Sequence, residues 1–291
     1  MSSSKRASAA MVAARQTSIA ALVLAAVVLA GSAASSRAAD CDEEGLCAVT
    51  ADKATLGEYR YRAPEGAAAK GAGKRPALVF IHGWRGSSKN VIRKGALRRF
   101  ADEIGAALIA PEGLSTTWSY RGSPVQERDE MAYFDALRRN LVDRHDVDPE
   151  RILIAGFSMG ASMAWSLACA RGEDYWGFIA FSGAFWEPFP RGCDKPARRL
   201  IHIHGEADKT VPIAGRPIGG RWRQGDVRSS LRILAEAALL APVEARSPQF
   251  ASMRCSRWEN KARSLEFCRH KGGHWWRGPW LSAAYRALGK F

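Results

Sequence analysis

Short, uninterrupted apolar runs recur along this chain, alternating with stretches that carry apolar residues at helical spacing. The runs are "PALVFIHG" (76–83), "AALIAPEG" (106–113), "RILIAG" (151–156), "WGFIAFSG" (176–183) and "RLIHIHG" (199–205). A strand with one wet face alternates polar and apolar residues, whereas a strand covered on both faces reads continuously apolar. Between the runs lie "NVIRKGALRRFADEIG" (90–105) and "DEMAYFDALRRNLVDRH" (129–145). The second has acids at its start and Arg and His toward its end, as the helix dipole favours. Further helices are predicted from Met159 to about Ala170, over 227–240 and over 279–291, with two late strands in "SPQFASMRC" and "SLEFCRH". This alternation predicts an α/β fold: a mostly parallel central sheet of about eight strands with helices on both faces. Residues 64–75, "PEGAAAKGAGKR", read as a turn-rich surface segment. With no internal repeat and no second linker, one domain is expected over residues 39–291.

The first 38 residues have a different logic. Lys5, Arg6 and Arg15 precede the apolar stretch "IAALVLAAVVLAG" (19–31), which gives way to mostly small residues up to Ala39. This is the three-part pattern of an export signal, predicted to be cut after Ala38. A membrane anchor is the alternative, but a run of about 13 apolar residues is shorter than the roughly 18–20 needed to span a bilayer. No stable membrane insertion is expected elsewhere in the chain. The predicted location is secreted or periplasmic.

Export gives the six cysteines a meaning. Cys41, Cys47, Cys169, Cys193, Cys255 and Cys268 all lie beyond the expected cut. An even number in an oxidising compartment predicts disulfides, with neighbours favoured as partners: 41–47, 169–193 and 255–268. No Cys/His spacing suggests a metal. The formal charge is +14, about +10 without the first 38 residues. Such a charge would suit an anionic partner or simply a solvated arginine-rich surface. No nucleic-acid motif accompanies it, so nucleic acid is not expected as a partner.

The sequence "ILIAGFSMGASM" (152–163) carries the chemistry. One serine stands between two glycines where a buried strand gives way to a helix. At such a turn the side chain is lifted out at the carboxyl end of the sheet, where open α/β sheets bind ligands. The bare pattern recurs by chance, and its strand–turn–helix context is what gives it weight. Ser158 is therefore the candidate nucleophile, and the N–H of Met159 at the helix start is a candidate oxyanion donor.

A seryl hydroxyl needs a base, and the base needs an orienting acid. Of six histidines only His270 and His274 follow the later strands. His274 lies in a loop after two glycines and is the favoured base; His270 would end the strand. Glu206 and Asp208 in "HGEADKTVP" both follow a strand, and Asp208 is favoured as the shorter and later of the two. His202 and His204 are read as structural, and so is His82. The backbone N–H of Trp84, after "FIHG", is the second oxyanion candidate. Trp275 and Trp276, next to His274, are candidate substrate-binding residues, with packing of the last loop as the competing role. A basic rim from Arg254 to Arg277 is read first as a solvated face.

The pieces "FIHGW" (80–84), "GFSMGASM" (156–163), "HGEADKTVP" (204–212) and "GGHWW" (272–276), in that order, resemble the α/β-hydrolase superfamily. Within it they are similar to secreted polyhydroxybutyrate depolymerase-like and feruloyl esterase-like proteins. The resemblance implies the α/β-hydrolase fold, with Ser158 as nucleophile, Asp208 as acid and His274 as base. It also implies a carboxylic ester hydrolase that needs no cofactor and no metal. "HGW" stands where those relatives have "HGC", and seventeen residues follow His274, too few for a polymer-binding domain. Soluble oligoesters, aryl esters or acetylated sugars are expected as substrates. A peptidase or acyltransferase on the same fold is the first alternative. The second is a catalytically inactive, basic cell-surface binding protein.

Overall fold

The computed structural model describes residues 41–52, 54–66, 73–245, 250, 252–289 and 291. The predicted export signal (1–38) lies outside the described residues.

In chain order the strands are β1 (Leu46–Ala51), β2 (Ala54–Arg62), β3 (Arg75–Ile81), β4 (Ala107–Pro111), β5 (Val147–Phe157) and β6 (Gly177–Phe181). They continue as β7 (Trp186–Glu187), β8 (Arg199–Gly205), β9 (Arg216–Ile218), β10 (Trp222–Gln224), β11 (Ala241–Val243), β12 (Arg254–Glu259) and β13 (Ser264–His270). The helices are α1 (Ser88–Ile92), α2 (Gly95–Glu103), α3 (Glu130–Arg144), α4 (Met159–Ala170), α5 (Val227–Ala237) and α6 (Gly278–Ala287).

Ten strands form one sheet in the order β1-β2-β4-β3-β5-β6-β8-β13-β12-β11. The middle of it, from β4 to β13, is parallel throughout. The flanking pairs are antiparallel. Burial explains the division. Every residue of β4 and β6 is buried, as is all of β3 after its first residue, because helices cover both faces. The ladder therefore separates two apolar layers, one built around Trp118, Phe134 and Trp165, the other around Phe80, Phe100 and Leu281.

The sequence reading is corrected in three places. The sheet has ten strands rather than about eight: β1, β2 and β11 are half-exposed or exposed and lack the apolar runs that mark the interior. The predicted helix over 90–105 is two helices. Lys94 takes an extended ψ of 110° and Gly95 begins α2, a glycine being costly inside a continuous helix. The late strand read over 247–255 is described only from Arg254, as Arg254–Glu259, and 247–249 and 251 lie outside the described residues. Its register against β13 is set by Asn260, whose side-chain oxygen accepts the N–H groups of Ala262 and Arg263 in the connecting turn.

Three disulfides join Cys41 to Cys47, Cys169 to Cys193 and Cys255 to Cys268, the pairing expected from neighbours, and no cysteine is free. Cys255 and Cys268 face each other across β12 and β13. Cys169 ties the end of α4 to the segment before β8, closing a loop over 24 positions. Loop-closure entropy assigns such a link roughly 3 kcal/mol. Replacing both Cys169 and Cys193 by alanine is expected to lower the melting temperature by several degrees while leaving the native fold at 25 °C intact. Calorimetry alongside circular dichroism at 25 °C checks this.

Among the described residues no helix is long and apolar enough to cross a membrane.

Candidate active site

Strand β5 ends at Phe157 and α4 begins at Met159, so Ser158 alone makes the turn. It does so with φ 59° and ψ −122°, a backbone state that costs a residue other than glycine about 1–3 kcal/mol. Hydrogen bonds hold it there: the Ser158 N–H donates to the Phe181 carbonyl (2.9 Å), and its own carbonyl accepts from the Ser162 N–H (3.0 Å). The flanking glycines are required by close approach. A Cβ on Gly160 would sit 2.1 Å from the Ile81 carbonyl oxygen, and one on Gly156 would sit 2.4 Å from that of Gly160. Helix α4 can therefore press onto the sheet only with hydrogen at both positions.

Strands β5, β8 and β13 run parallel, so the loops after them open at one edge of the sheet. That edge brings together three residues distant in sequence. The Ser158 hydroxyl lies 3.0 Å from Nε2 of His274, and His274 Nδ1 lies 2.8 Å from Oδ2 of Asp208. The other carboxylate oxygen, Oδ1, accepts the N–H groups of Thr210 (2.9 Å) and Val211 (2.8 Å). The acid and base loops are laced to each other. The Glu206 N–H donates to the His270 carbonyl and the Ala207 N–H to the Gly272 carbonyl, at 2.8 and 3.0 Å.

Burial pushes the Asp208 carboxyl up. The hydrogen bonds from His274 and the Val211 N–H outweigh it and hold the group below its ordinary value, so it is ionised at neutral pH.

The competing candidates are turned elsewhere. Glu206 is ion-paired with Arg254. His270 Nδ1 accepts the Gly272 N–H (3.0 Å), and its ring lies 4.8 Å from Trp275 and 4.4 Å from Trp280. His82 is buried; its Nε2 accepts the Gly113 N–H, so Nδ1 donates to the Gly83 carbonyl at 2.8 Å. It thereby fixes the loop that carries Trp84. The Met159 N–H, in the first turn of α4, and the Trp84 N–H donate to no described residue, as an oxyanion donor requires.

A cavity of about 330 Å³ opens over Ser158. Its walls include Trp84, Val125, Met159, Trp186, Ile218 and Trp222, making it largely apolar. Two larger crevices, of about 380 and 420 Å³, contain none of Ser158, Asp208 and His274. Trp275 and Trp276 do not line the Ser158 cavity, contrary to the expectation from sequence. Trp276 packs inward on Phe80 and Phe181, and Trp275 stacks on Trp280. Adjacency to His274 in sequence was misleading, because both rings turn away from Ser158, Trp276 toward the apolar layer and Trp275 onto Trp280. Trp186 and Trp222 escaped sequence reading: they belong to β7 and β10 of a separate three-stranded sheet, ordered β7-β10-β9, whose strands are only two or three residues long.

Buried neutral histidines give the molecule an acid limit. Burial lowers His204 to about 4. Burial, followed by the nearby Arg144, does the same for His145, whose ring stacks on Tyr61 at 3.9 Å. An unfolded chain protonates such rings near pH 6.5 and the folded one only near 4, so the unfolded state binds more protons in between. Stability is therefore expected to fall as pH drops from about 6.5 toward 4. His145→Phe, which keeps the stack, should flatten part of that slope in melting curves taken across this range.

A parallel sheet with a seryl turn, an imidazole and a carboxylate converging at its carboxyl edge defines an α/β-hydrolase architecture. The comparisons agree. Residues 123–217 match the family model described as Phospholipase/Carboxylesterase. NocK from Nocardia uniformis subsp. tsuyamanensis is 31% identical over 163 residues, covering 54% of this chain and 46% of that one. Feruloyl esterase C from Emericella nidulans is 29% identical over 164 residues, covering 54% and 57%. Among solved structures, acetyl xylan esterase from Aspergillus awamori superposes with a TM-score of 0.56 over 75% of this chain and 88% of that one, at 13% identity. That likeness concerns the fold. The fold is that of the α/β-hydrolases, and the chain is similar in sequence to carboxylesterase and feruloyl esterase relatives. It spans about half the length of the curated relatives it matches.

Proposed function

We propose that this protein is an exported serine esterase that hydrolyses carboxylic esters through an acyl-enzyme. The observation that carries this reading is the hydrogen-bonded line from the Ser158 hydroxyl through His274 to Asp208, opening onto an apolar cavity. Ser158 attacks the ester carbonyl while His274 Nε2 takes its proton. Asp208 holds the Nδ1–H tautomer and stabilises the imidazolium. The N–H groups of Met159 and Trp84 receive the oxyanion. His274 then protonates the departing alcohol, and water, activated by the same imidazole, releases the acid. The three disulfides support passage through an oxidising compartment.

The three tryptophans around Ser158 favour esters with an aromatic or extended apolar portion. The likeness to feruloyl esterase C points the same way. Aryl or feruloyl esters and soluble hydroxyalkanoate oligoesters are the proposed substrates.

Trp84 is 61% exposed at the cavity mouth, with the Arg85 guanidinium 4.4 Å from its ring. Trp84→Ala keeps the backbone N–H and removes the ring. It is expected to raise KM for a feruloyl or other aryl-acyl ester about tenfold, while leaving KM for the matching acetate within about twofold. Equal effects on both esters would remove Trp84 from substrate contact.

The general test is labelling by a fluorophosphonate. An adduct on Ser158 and turnover of aryl esters are expected. No adduct, with no turnover across a panel of esters, amides and acyl acceptors, would leave the basic binding protein as the reading. Preference for amides or for transfer to added acceptors would favour a peptidase or an acyltransferase.

A further inference from the structure

Two histidines outside the line from Ser158 to Asp208 are fully buried in β8, and together they form a second hydrogen-bonded line that ends on the loop holding Asp208. The Trp165 indole N–H donates to His202 Nδ1 at 3.2 Å. An indole nitrogen can only donate, so His202 Nδ1 is the bare nitrogen and its proton is on Nε2. His202 Nε2 lies 2.9 Å from His204 Nδ1, which must accept. The His204 proton is consequently on Nε2, and that N–H donates to the Val211 carbonyl at 2.7 Å. One irreversible donor, the indole of Trp165 on α4, thus fixes the tautomer of both rings. Burial keeps both neutral, since it lowers His202 and His204 alike.

Val211 is held through both of its backbone groups, on either side of its Cα. Its carbonyl accepts from His204, and its N–H donates to Oδ1 of Asp208. His204 Nε2 also lies 3.5 Å from Oδ2 of Asp208, the oxygen facing His274. A strand-interior histidine filling space would need no such directed chain, and leucine would fill the site at less desolvation cost.

We propose that His204 is a positioning residue. Its Nε2–H, with its tautomer imposed by Trp165 through His202, holds the Val211 carbonyl and so fixes the residue whose N–H bonds Oδ1, so that Asp208 presents one oxygen to His274 and keeps the other on the loop. The inference rests on the esterase reading above. It adds a chain of three buried side chains that acts on the reaction without touching the substrate.

The test compares His204→Leu, His204→Gln and Trp165→Phe in the full chain. Glutamine can place an amide N–H near the position of Nε2; leucine cannot. His204→Leu is expected to lower kcat for an aryl ester about 10- to 100-fold with KM little changed, since a small displacement of an orienting group carries that cost. The strongly deshielded proton resonance of the His274–Asp208 hydrogen bond should broaden or shift in the same variant. His204→Gln should recover most of kcat and the resonance. Trp165→Phe, which removes the indole donor together with part of a buried ring, should lower kcat in the same direction by less. The proposal is overturned if His204→Leu melts cooperatively yet keeps kcat and the resonance. Should leucine prevent folding, an unchanged kcat and resonance in Trp165→Phe overturns it instead. Failure of the underlying reading looks different: wild-type protein would then take no fluorophosphonate on Ser158.

Discussion

Replacing Ser158 by alanine should reduce kcat for an aryl ester by about 10⁵-fold or more, because the nucleophile acts as a unit with its base and cannot be substituted by water in the same place. The hydroxyl is the only atom lost, so the fold should be retained. Glycine at this position makes a sharper test of the structure. Ser158 holds φ at 59°, in a region that favours glycine. Ser158→Gly should be as inactive as Ser158→Ala, yet more stable than it by about 1 kcal/mol, since glycine relieves the backbone strain. Activity and calorimetry on the pair separate two statements. Loss of activity concerns the hydroxyl, and the difference in melting temperature concerns the turn. Identical melting temperatures for the two variants would mean the turn is not strained. Retained esterolysis would mean that another residue is the nucleophile.

Asp208→Asn is the second large effect, and the hydrogen bonds around the carboxylate decide its mechanism. Oδ1 accepts two backbone N–H groups, from Thr210 and Val211. In asparagine only the carbonyl oxygen can accept, so it must occupy the Oδ1 position. The amide nitrogen then faces His274 Nδ1, where the carboxylate oxygen stood at 2.8 Å. A donor there forces the imidazole proton onto Nε2, and a protonated Nε2 cannot take the Ser158 proton. kcat is expected to fall about 10³- to 10⁴-fold with little change in KM or in the fold. The rate of fluorophosphonate labelling should fall in parallel, because it uses the same base. Glu206→Gln serves as the control. Its carboxylate pairs with Arg254, away from His274, so kcat should be unaffected.

What could be read from sequence follows from which information is local. The continuous apolar runs marked the interior strands β3, β4, β5, β6 and β8, because burial on both faces removes polar residues from consecutive positions. The glycines around Ser158 are local for the same kind of reason: a Cβ at 156 or 160 would collide with backbone whatever the side chain did. Asp208 and His274 could be chosen because each follows a strand and precedes a loop, a relation visible along the chain. Even the disulfides were local, since each joins neighbours in the sequence of cysteines.

Tertiary structure alone decided what lies around the reacting groups. The cavity wall comes from Trp186 and Trp222 in strands of two and three residues, too short to leave a periodic signal. Trp275 and Trp276, adjacent to His274, belong instead to packing on Trp280 and on Phe80. The partner that takes up Glu206 is Arg254, 48 positions away along the chain. The reason is common to all three cases. Periodicity records whether a residue is buried, but only the folding of separate loops onto one sheet edge determines which buried or half-buried residues meet.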